Sequence, residues 1–584
     1  MTVARAVGRA LAELGVRTAF GLVGSGNFHL VNALAEHGVR FVAARHEGGA
    51  ATMADAYARM SGTVGVLSVH QGPGLTNAMT GITEAAKSRT PLLVLAAEAL
   101  EPRSNFHIDQ SALAAAVGAV PARVESAATA VADTARAFRL AADRRATVLL
   151  NLPLGLQNAR VDDVETPAGN GVTVPRHGAG EHGAGEHGAR PSPEAAAELA
   201  KVLAGARRPV FVAGRGARRA RRELERLAER TGALLATSAV ARGLFVGNPW
   251  SLDVSGGFAS PLAAELIRDS DVVVGWGCGL NMWTTRHGAL IGPSATVVQV
   301  DLDHDAIGAH RPVALGVAGD VAATARAVAE ALGPRPRGEG PGSRARGETP
   351  GSGSGGGAVD SRAGGEGWRT PALAERIARE VAWRDVPYPD GSGGGRIDPR
   401  TLSIALDDLL PAGRLVSVDS GNFMGYPSMY LSVPDENAFC FTQAFQSVGL
   451  GLATAVGAAL ARPDLLPVAA LGDGGALMGV AELETVVRLG LPMVVVVYDD
   501  EAYGAEVHHF GPQGHALDRV RFPPCDIAAV ARGYGWDTVT VREPAGLAGV
   551  SRWLDGQRDR PLLVHAKITA DRGSWWLEEA FRGH

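Results

Sequence analysis

Two acidic clusters, each closing an apolar run, constrain this chain more than any other feature. Gly472-Asp473-Gly474 follows the run at 466 to 471, and Asp499-Asp500 follows Val494-Val495-Val496-Val497-Tyr498, with 24 residues between the two clusters. Apolar runs of this kind are typical of strands buried on both faces of a parallel sheet. Both clusters then fall just past the C-terminal ends of strands, the edge where open parallel sheets bind ligands. Two side-chain oxygens at adjacent strand ends can share one hard cation, which takes carboxylates, carbonyls and phosphate oxygens. The spacing predicts an α/β fold with Mg2+ holding a diphosphate at this edge.

A chain of 584 residues exceeds one ordinary core, so about three domains are expected. The first spans 1–166 and alternates strand-like runs at 18–21, 41–44, 65–69, 92–96 and 147–152 with helical segments, which implies a doubly wound parallel sheet. Residues 167–192 read as a flexible linker containing the repeat HGAGEHGAGEHGAR. A central domain spans 193–333, with strands at 209–213, 271–274 and 297–301. Its turns Gly214-Arg215-Gly216 and Gly275-Trp276-Gly277 invite a dinucleotide reading, but neither completes GxGxxG. Residues 334–395 read as a Gly/Pro/Ser-rich linker, disordered over 334–367, followed by a connecting segment. The last domain spans 396–584, with a strand at 415–419, a helix from Gln446 through Ala461, and the two acidic strand ends.

Charge excludes one function class. With 56 basic and 61 acidic residues and a net charge of -5, the chain has no dedicated nucleic-acid surface. No run of 18 uncharged apolar residues predicts a membrane span, and the N-terminus lacks a secretory pattern. Cys278, Cys440 and Cys525 are odd in number and far apart, which suits a reducing cytoplasm.

The two acidic clusters, GDG and DD inside GDGGALMGVAELETVVRLGLPMVVVVYDDEAYG, resemble the motif of the thiamine diphosphate enzymes, in which GDG precedes NN at a similar spacing. RHEGGAATMADAYAR at 45–59 is similar to that family's activating-glutamate segment. The resemblance covers nearly the whole chain apart from the two linkers. It implies three doubly wound parallel-sheet domains, namely pyrimidine-binding, central and diphosphate-binding. It also implies that Asp473, Asp500 and the Ala502 carbonyl ligate Mg2+. An Asp at 500, where the family has Asn, adds a charge that Mg2+ or a nearby donor must offset. Gly472, Gly474, Gly475, Gly421, Asn422, Ala502 and Tyr503 would then line the diphosphate.

On the same resemblance, Glu47 would hydrogen-bond the pyrimidine N1′ and, by holding or sharing a proton, promote loss of the thiazolium C2 proton. Val448, 25 positions before Asp473, falls where the family props the cofactor with a bulky apolar residue. HQGPGLTN at 70–77 resembles the GPG turn of acetolactate synthases, so Gly72 would approach the cofactor. His70 and Ser25 match, respectively, a catalytic histidine and a substrate-contacting serine of benzoylformate decarboxylase. His508 and His509 are adjacent on a helix, so at most one could reach substrate.

The expected activity is decarboxylation of a 2-oxo acid with carboligation to a second carbonyl compound, as in acetolactate synthases. The alternative is simple decarboxylation of the benzoylformate decarboxylase type. The resemblance allows FAD in the central domain, as acetolactate synthases carry it, but no motif there supports it. It implies a homodimer or homotetramer with sites shared between subunits.

Overall fold

The computed structural model describes residues 1–161, 189–333 and 368–580, which build three sheets of six parallel strands each. The first contains β1 Thr18–Gly21, β2 Arg40–Ala43, β3 Gly65–Val69, β4 Leu92–Glu98, β5 Val120–Arg123 and β6 Thr147–Pro153. The second contains β7 Pro209–Ala213, β8 Leu234–Thr237, β9 Ser251–Val254, β10 Val272–Trp276, β11 Thr296–Asp301 and β12 Leu315–Ala318. The third contains β13 Arg414–Val418, β14 Phe439–Phe441, β15 Leu466–Gly472, β16 Val494–Asp499, β17 Asp537–Val541 and β18 Leu562–Lys567. The strand orders are β2-β1-β3-β4-β6-β5, β12-β11-β10-β7-β8-β9 and β14-β13-β15-β16-β18-β17. The first and third sheets therefore follow one permutation. In both, the strand order reverses between the first and third strands, which opens a crevice at their C-terminal ends.

Register explains how the acidic clusters meet. β15 pairs with β16 from Val468↔Val494 to Gly472↔Tyr498, so Asp473 and Asp499 sit side by side as the paired strands end. Both strands are buried almost throughout, as their unbroken apolar runs require.

The chain divides into two compact units, Met1–Ala184 with Pro387–His584, and Gly185–Val386. In the first unit, one apolar core joins the first and third sheets, running from Phe20 and Leu67 through Met53 and Val456 to Val495 and Leu563. Helix Glu47–Ser61 packs there on helix Gly451–Ala461. A Cβ at Gly457 would stand 2.1 Å from the Met53 carbonyl, so only glycine permits this approach. The second helix begins at Gly451 rather than at Gln446. Gln446 at φ +60° and Gly449 at φ +91° are left-handed, which a right-handed helix cannot accommodate.

The second unit carries the central sheet with its own core, including Phe211, Trp276 and Val300. Helix Pro371–Glu380, within the segment read as a linker, belongs to this unit. Arg376 donates to both oxygens of Glu265 at 2.7 and 2.9 Å, and Ile377 is buried. The stretch 334–367 and most of the 167–192 joint lie outside the described residues. Among the described residues no helix is long and apolar enough to cross a membrane.

Candidate active site

The loops after β1, β2 and β3 form one constellation. The chain leaves β2, and His46 caps the next helix by accepting the Gly48 N–H on Nδ1 at 3.0 Å. Glu47 is the first residue of that helix and is buried. Asn77 Nδ2 donates to Glu47 Oε2 at 3.1 Å. Asn77 lies on helix Pro73–Lys87, which starts after Gly72 at φ +62°. A Cβ at Gly74 would stand 2.9 Å from the His70 Cβ and 3.6 Å from Glu47 Oε1, so the bare glycine keeps the space between these side chains open.

His70 has a defined tautomer. Its Nδ1 accepts the Gly26 N–H at 3.1 Å, which leaves the proton of the neutral ring on Nε2. Burial holds its pKa below the ordinary value, and the Glu47 charge opposes that only in part. Its ring meets Phe106 edge-on with centroids 5.3 Å apart. Ser25 is exposed on the Gly24-Ser25-Gly26 turn. Asn27 braces that turn, accepting from the Gly24 N–H at 2.8 Å and donating to Leu22 O and Ser68 Oγ at 3.0 Å each. Gln157 secures Gly26 O at 2.7 Å. The structure thus gathers Glu47, His70, Ser25 and Gly72.

A second constellation lies after β13, β15 and β16. Asp473 opens the short helix Asp473–Met478. Burial, then the charges of Asp500 and Asp499, push its pKa up to about 8. Burial and Asp499 push Asp500 up to about 7, against the Ala502 N–H. These carboxylates lie in a dry setting where each disfavours the other's charge, a donor set that suits a hard divalent cation. A Cβ at Gly504 would stand 2.3 Å from Asp500 Oδ2, so glycine keeps room beside that carboxylate. Residues 501–503 run beside 520–522 through Tyr503 N–H to Val520 O at 2.9 Å and Phe522 N–H to Glu501 O at 2.8 Å. This bridge does not use the Ala502 carbonyl. Tyr503 meets Phe522 edge-on at 4.8 Å.

Asp499 turns away from this pair. Its Oδ2 meets His565 Nε2 and Lys567 Nζ, both at 2.5 Å. Burial alone would raise its pKa, but these bonds and the Lys567 charge hold it below the usual carboxylate range. Its Oδ1 accepts the Glu501 N–H at 3.0 Å, and Glu501 also meets Lys567 at 3.1 Å and Arg396 at 2.6 Å. Glu501 is thereby held at φ +60°, next to Asp500 and Ala502.

The remaining residues of this group surround the same crevice. Gly421 adopts φ +141°, and a Cβ at Gly421 or Gly472 would crowd the Phe423 ring at about 3.2 Å. Asn422 Oδ1 accepts from Ser574 N–H and Oγ at 3.1 Å each, and its carbonyl accepts from Trp576 Nε1 at 3.2 Å. A Cβ at Gly474 would meet the Tyr503 ring at 2.8 Å. One at Gly475 would lie 2.2 Å from Asp419 Oδ2 and 3.4 Å from Val448 Cγ1. Val448 is 38% and Met478 57% exposed, so both present apolar surface. Of the two adjacent histidines, His508 is lowered in pKa by burial and packs near Gly573, while His509 meets the Phe510 ring at 4.6 Å.

Among the described residues, no hydrogen bond links Glu47, His70 or Ser25 to Asp473, Asp500 or Ala502. The sequence reading placed Asn77 only at the end of the GPG turn, without a role, and did not mark Asn27 or Asp419. Asn77 carries a usable signal, since it ends the GPG turn segment. Asp419 caps the loop before Leu450 by accepting the Gly449 and Leu450 N–H groups, and burial pushes it up to about 6. In the central sheet, the corresponding glycine turns face each other. Gly214 N–H donates to Trp276 O at 2.8 Å and Gly216 N–H to Gly277 O at 3.2 Å. Those amides are engaged by protein carbonyls and do not form a phosphate cradle.

Two constellations thus lie on sheets of one topology, with a third sheet in a separate unit. Three family models match in the same order: "Thiamine pyrophosphate enzyme, N-terminal TPP binding domain" over residues 1–116, the central domain over 196–328, and the C-terminal TPP binding domain over 419–566. The chain belongs to this family. It is 29% identical to a sulfoacetaldehyde acetyltransferase of Alcaligenes xylosoxydans xylosoxydans, with 84% of this chain and 80% of that protein covered. It is 28% identical to a probable 2-ketoarginine decarboxylase of Pseudomonas aeruginosa (95% and 91% covered). It is 29% identical to a putative acetolactate synthase large subunit of Mycobacterium tuberculosis (90% of each chain covered). The likeness spans several branches and does not single out the acetolactate synthases.

Proposed function

We propose that this enzyme decarboxylates a 2-oxo acid and joins the remaining acyl carbon to a second carbonyl compound. The observation that carries this reading is the state of His70. Its Nδ1 is committed to the Gly26 N–H and burial lowers its pKa, so at neutral pH the ring rests as the neutral Nε2–H imidazole, which has no acidic proton to give. A weak donor there disfavours ending the reaction by protonation and leaves the ligating outcome. Its Nε2–H can instead hold a substrate carboxylate or carbonyl oxygen. The second reading, simple decarboxylation, is favoured by the Gly26 N–H bond to His70, which ties the turn bearing Ser25 to the strand end bearing His70.

The chain's residues divide the work. Asp473, Asp500 and the Ala502 carbonyl would hold Mg2+ and, through it, the diphosphate beside Gly421, Asn422, Gly472, Gly474, Gly475 and Tyr503. Val448 would prop the cofactor, and Gly72 would let the backbone approach it. Glu47, oriented by Asn77, would hold a proton at the pyrimidine N1′. Thiamine diphosphate supplies a carbon nucleophile for the keto carbon and an electron sink as CO2 leaves. FAD forms no part of this proposal, and an absorbance spectrum of the purified protein tests that. The proposed compartment is the cytoplasm.

The product decides between the two readings. Pyruvate and a panel of longer 2-oxo acids are supplied with thiamine diphosphate and Mg2+. The expected products are CO2 and a joined hydroxyketone such as acetolactate. Free aldehyde as the sole product would replace carboligation by simple decarboxylation.

Each constellation alone is half a site, so we also propose a homodimer or homotetramer in which Glu47 of one chain serves the metal pair of another. Exposed apolar side chains near both halves support this, with Phe28 and Phe106 on one side and Phe445, Leu477 and Met478 on the other. Glu47→Gln and Asp473→Ala chains, each inactive alone, are mixed under subunit exchange. Partial activity is expected, because mixed dimers hold one intact site. Demonstrated exchange without recovery would place both halves within one chain.

A further inference from the structure

The loop 441–449 carries Val448 into the proposed site, yet it has little structure of its own. After β14 it passes through exposed Ala444 and Phe445 and left-handed Gln446 to left-handed Gly449. Its far end is tied within its own domain, where Asp419 accepts the Gly449 N–H at 3.0 Å. Its near end is tied by the other domain of the same chain. Arg59 Nη1 donates to Phe441 O at 3.0 Å. Glu84 accepts the Ala444 N–H on Oε1 at 3.0 Å and the Phe445 N–H on Oε2 at 2.6 Å. Lys87 Nζ lies 5.7 Å from the Phe445 ring centroid.

Glu84 is itself fixed. Arg59 Nη2 meets Glu84 Oε1 at 2.8 Å and Ser88 Oγ at 2.6 Å, while Arg59 Nε donates to Asp55 Oδ1 at 3.0 Å. The Arg59 and Glu84 side chains are only 5% and 1% exposed. Bonds to a buried charged group of this kind are strong and geometrically demanding.

A counterpart exists on the other side. Glu482, in the helix Glu482–Arg488 that follows β15, accepts the Arg45 and His46 N–H groups at 3.1 Å each, directly before Glu47. Glu84 lies in the helix that follows β3, the equivalent strand of the first sheet. Each glutamate therefore follows the third strand of its own sheet, and each grips the loop after the second strand of the other. A carboxylate present only to pair with Arg59 would not need the two backbone donors of the opposite loop.

We propose that Glu84, held by Arg59, is a positioning residue that sets the loop bearing Val448 from the N-terminal domain of the same chain. This rests on the reading of Val448 as the cofactor prop.

The test uses the full-length protein with thiamine diphosphate and Mg2+. Glu84→Gln is expected to lower kcat by about 10–100-fold, since a distant change that misplaces a reacting group can cost that much. Mg2+-dependent cofactor binding should stay within about threefold, because the metal pair is untouched. In a Val448→Ala background the same change should cost far less, since both act through one loop. Fully additive losses, or a lowered melting temperature with unchanged kcat, would overturn the proposal. Hydrogen exchange by mass spectrometry decides the case independently of catalysis. In wild-type protein the Ala444 and Phe445 amides should be protected despite their exposed side chains, and about tenfold less so in Glu84→Gln. Wild-type amides exchanging at free-loop rates would sink the latch, even if the proposed reaction itself proved wrong.

Discussion

Glu47→Gln should leave thiamine diphosphate bound while slowing exchange of its C2 proton by about 100-fold or more. Glutamine keeps the shape of the side chain, and Asn77 Nδ2 can still donate to the amide oxygen as it does to Oε2 at 3.1 Å. Only the ability to hold or share a proton is lost. Binding survives because the proposed diphosphate and metal contacts belong to the Asp473 constellation. Exchange is followed by NMR in heavy water on the loaded protein. A rate near that of wild type would remove Glu47 from the mechanism.

Asp473→Ala should abolish Mg2+-dependent binding of the cofactor. Loss of a group that merely supports a metal ligand costs roughly 10–100-fold in affinity, and loss of a ligand costs more. Asp500→Asn should behave differently and stay within a few-fold of wild type. It keeps a side-chain oxygen and removes one of the charges that push Asp473 up to about 8. Titration calorimetry with thiamine diphosphate, with and without Mg2+, separates the two variants. Equal binding by Asp473→Ala and wild type would refute the metal assignment.

The fold was legible because parallel strands buried on both faces leave an apolar run that little else produces. Leu466–Gly472 and Val494–Asp499 are such strands, and their common end explains why the two acidic clusters could be placed together from spacing, while Asp473 and Asp500 as a ligand pair came from the family resemblance. Glu47 was legible as a residue just past β2, and His70 as one just past β3. What escaped reading depends on distant chain segments. Nothing local marks Glu482 as the acceptor for Arg45 and His46, or Ser574 as the partner of Asn422. The misplaced helix start at Gln446 has the same origin. The stretch 446–450 has no proline to stop a helix, but Asp419 takes its Gly449 and Leu450 N–H groups and holds it as a loop. The union of the first and last thirds into one unit likewise has no signature in composition.

That union has a consequence at the ribosome. The Met53 carbonyl and the Gly457 backbone, pressed together in the finished protein, leave the exit tunnel about 400 residues apart. At roughly 5–20 residues per second, this delay lasts about 20–80 seconds. Throughout it, the helix Glu47–Ser61 lacks the C-terminal helix that later covers Met53, Ala56 and Met60. The nascent N-terminal third therefore waits with a sticky face, and the interval is long enough for a chaperone to shield it.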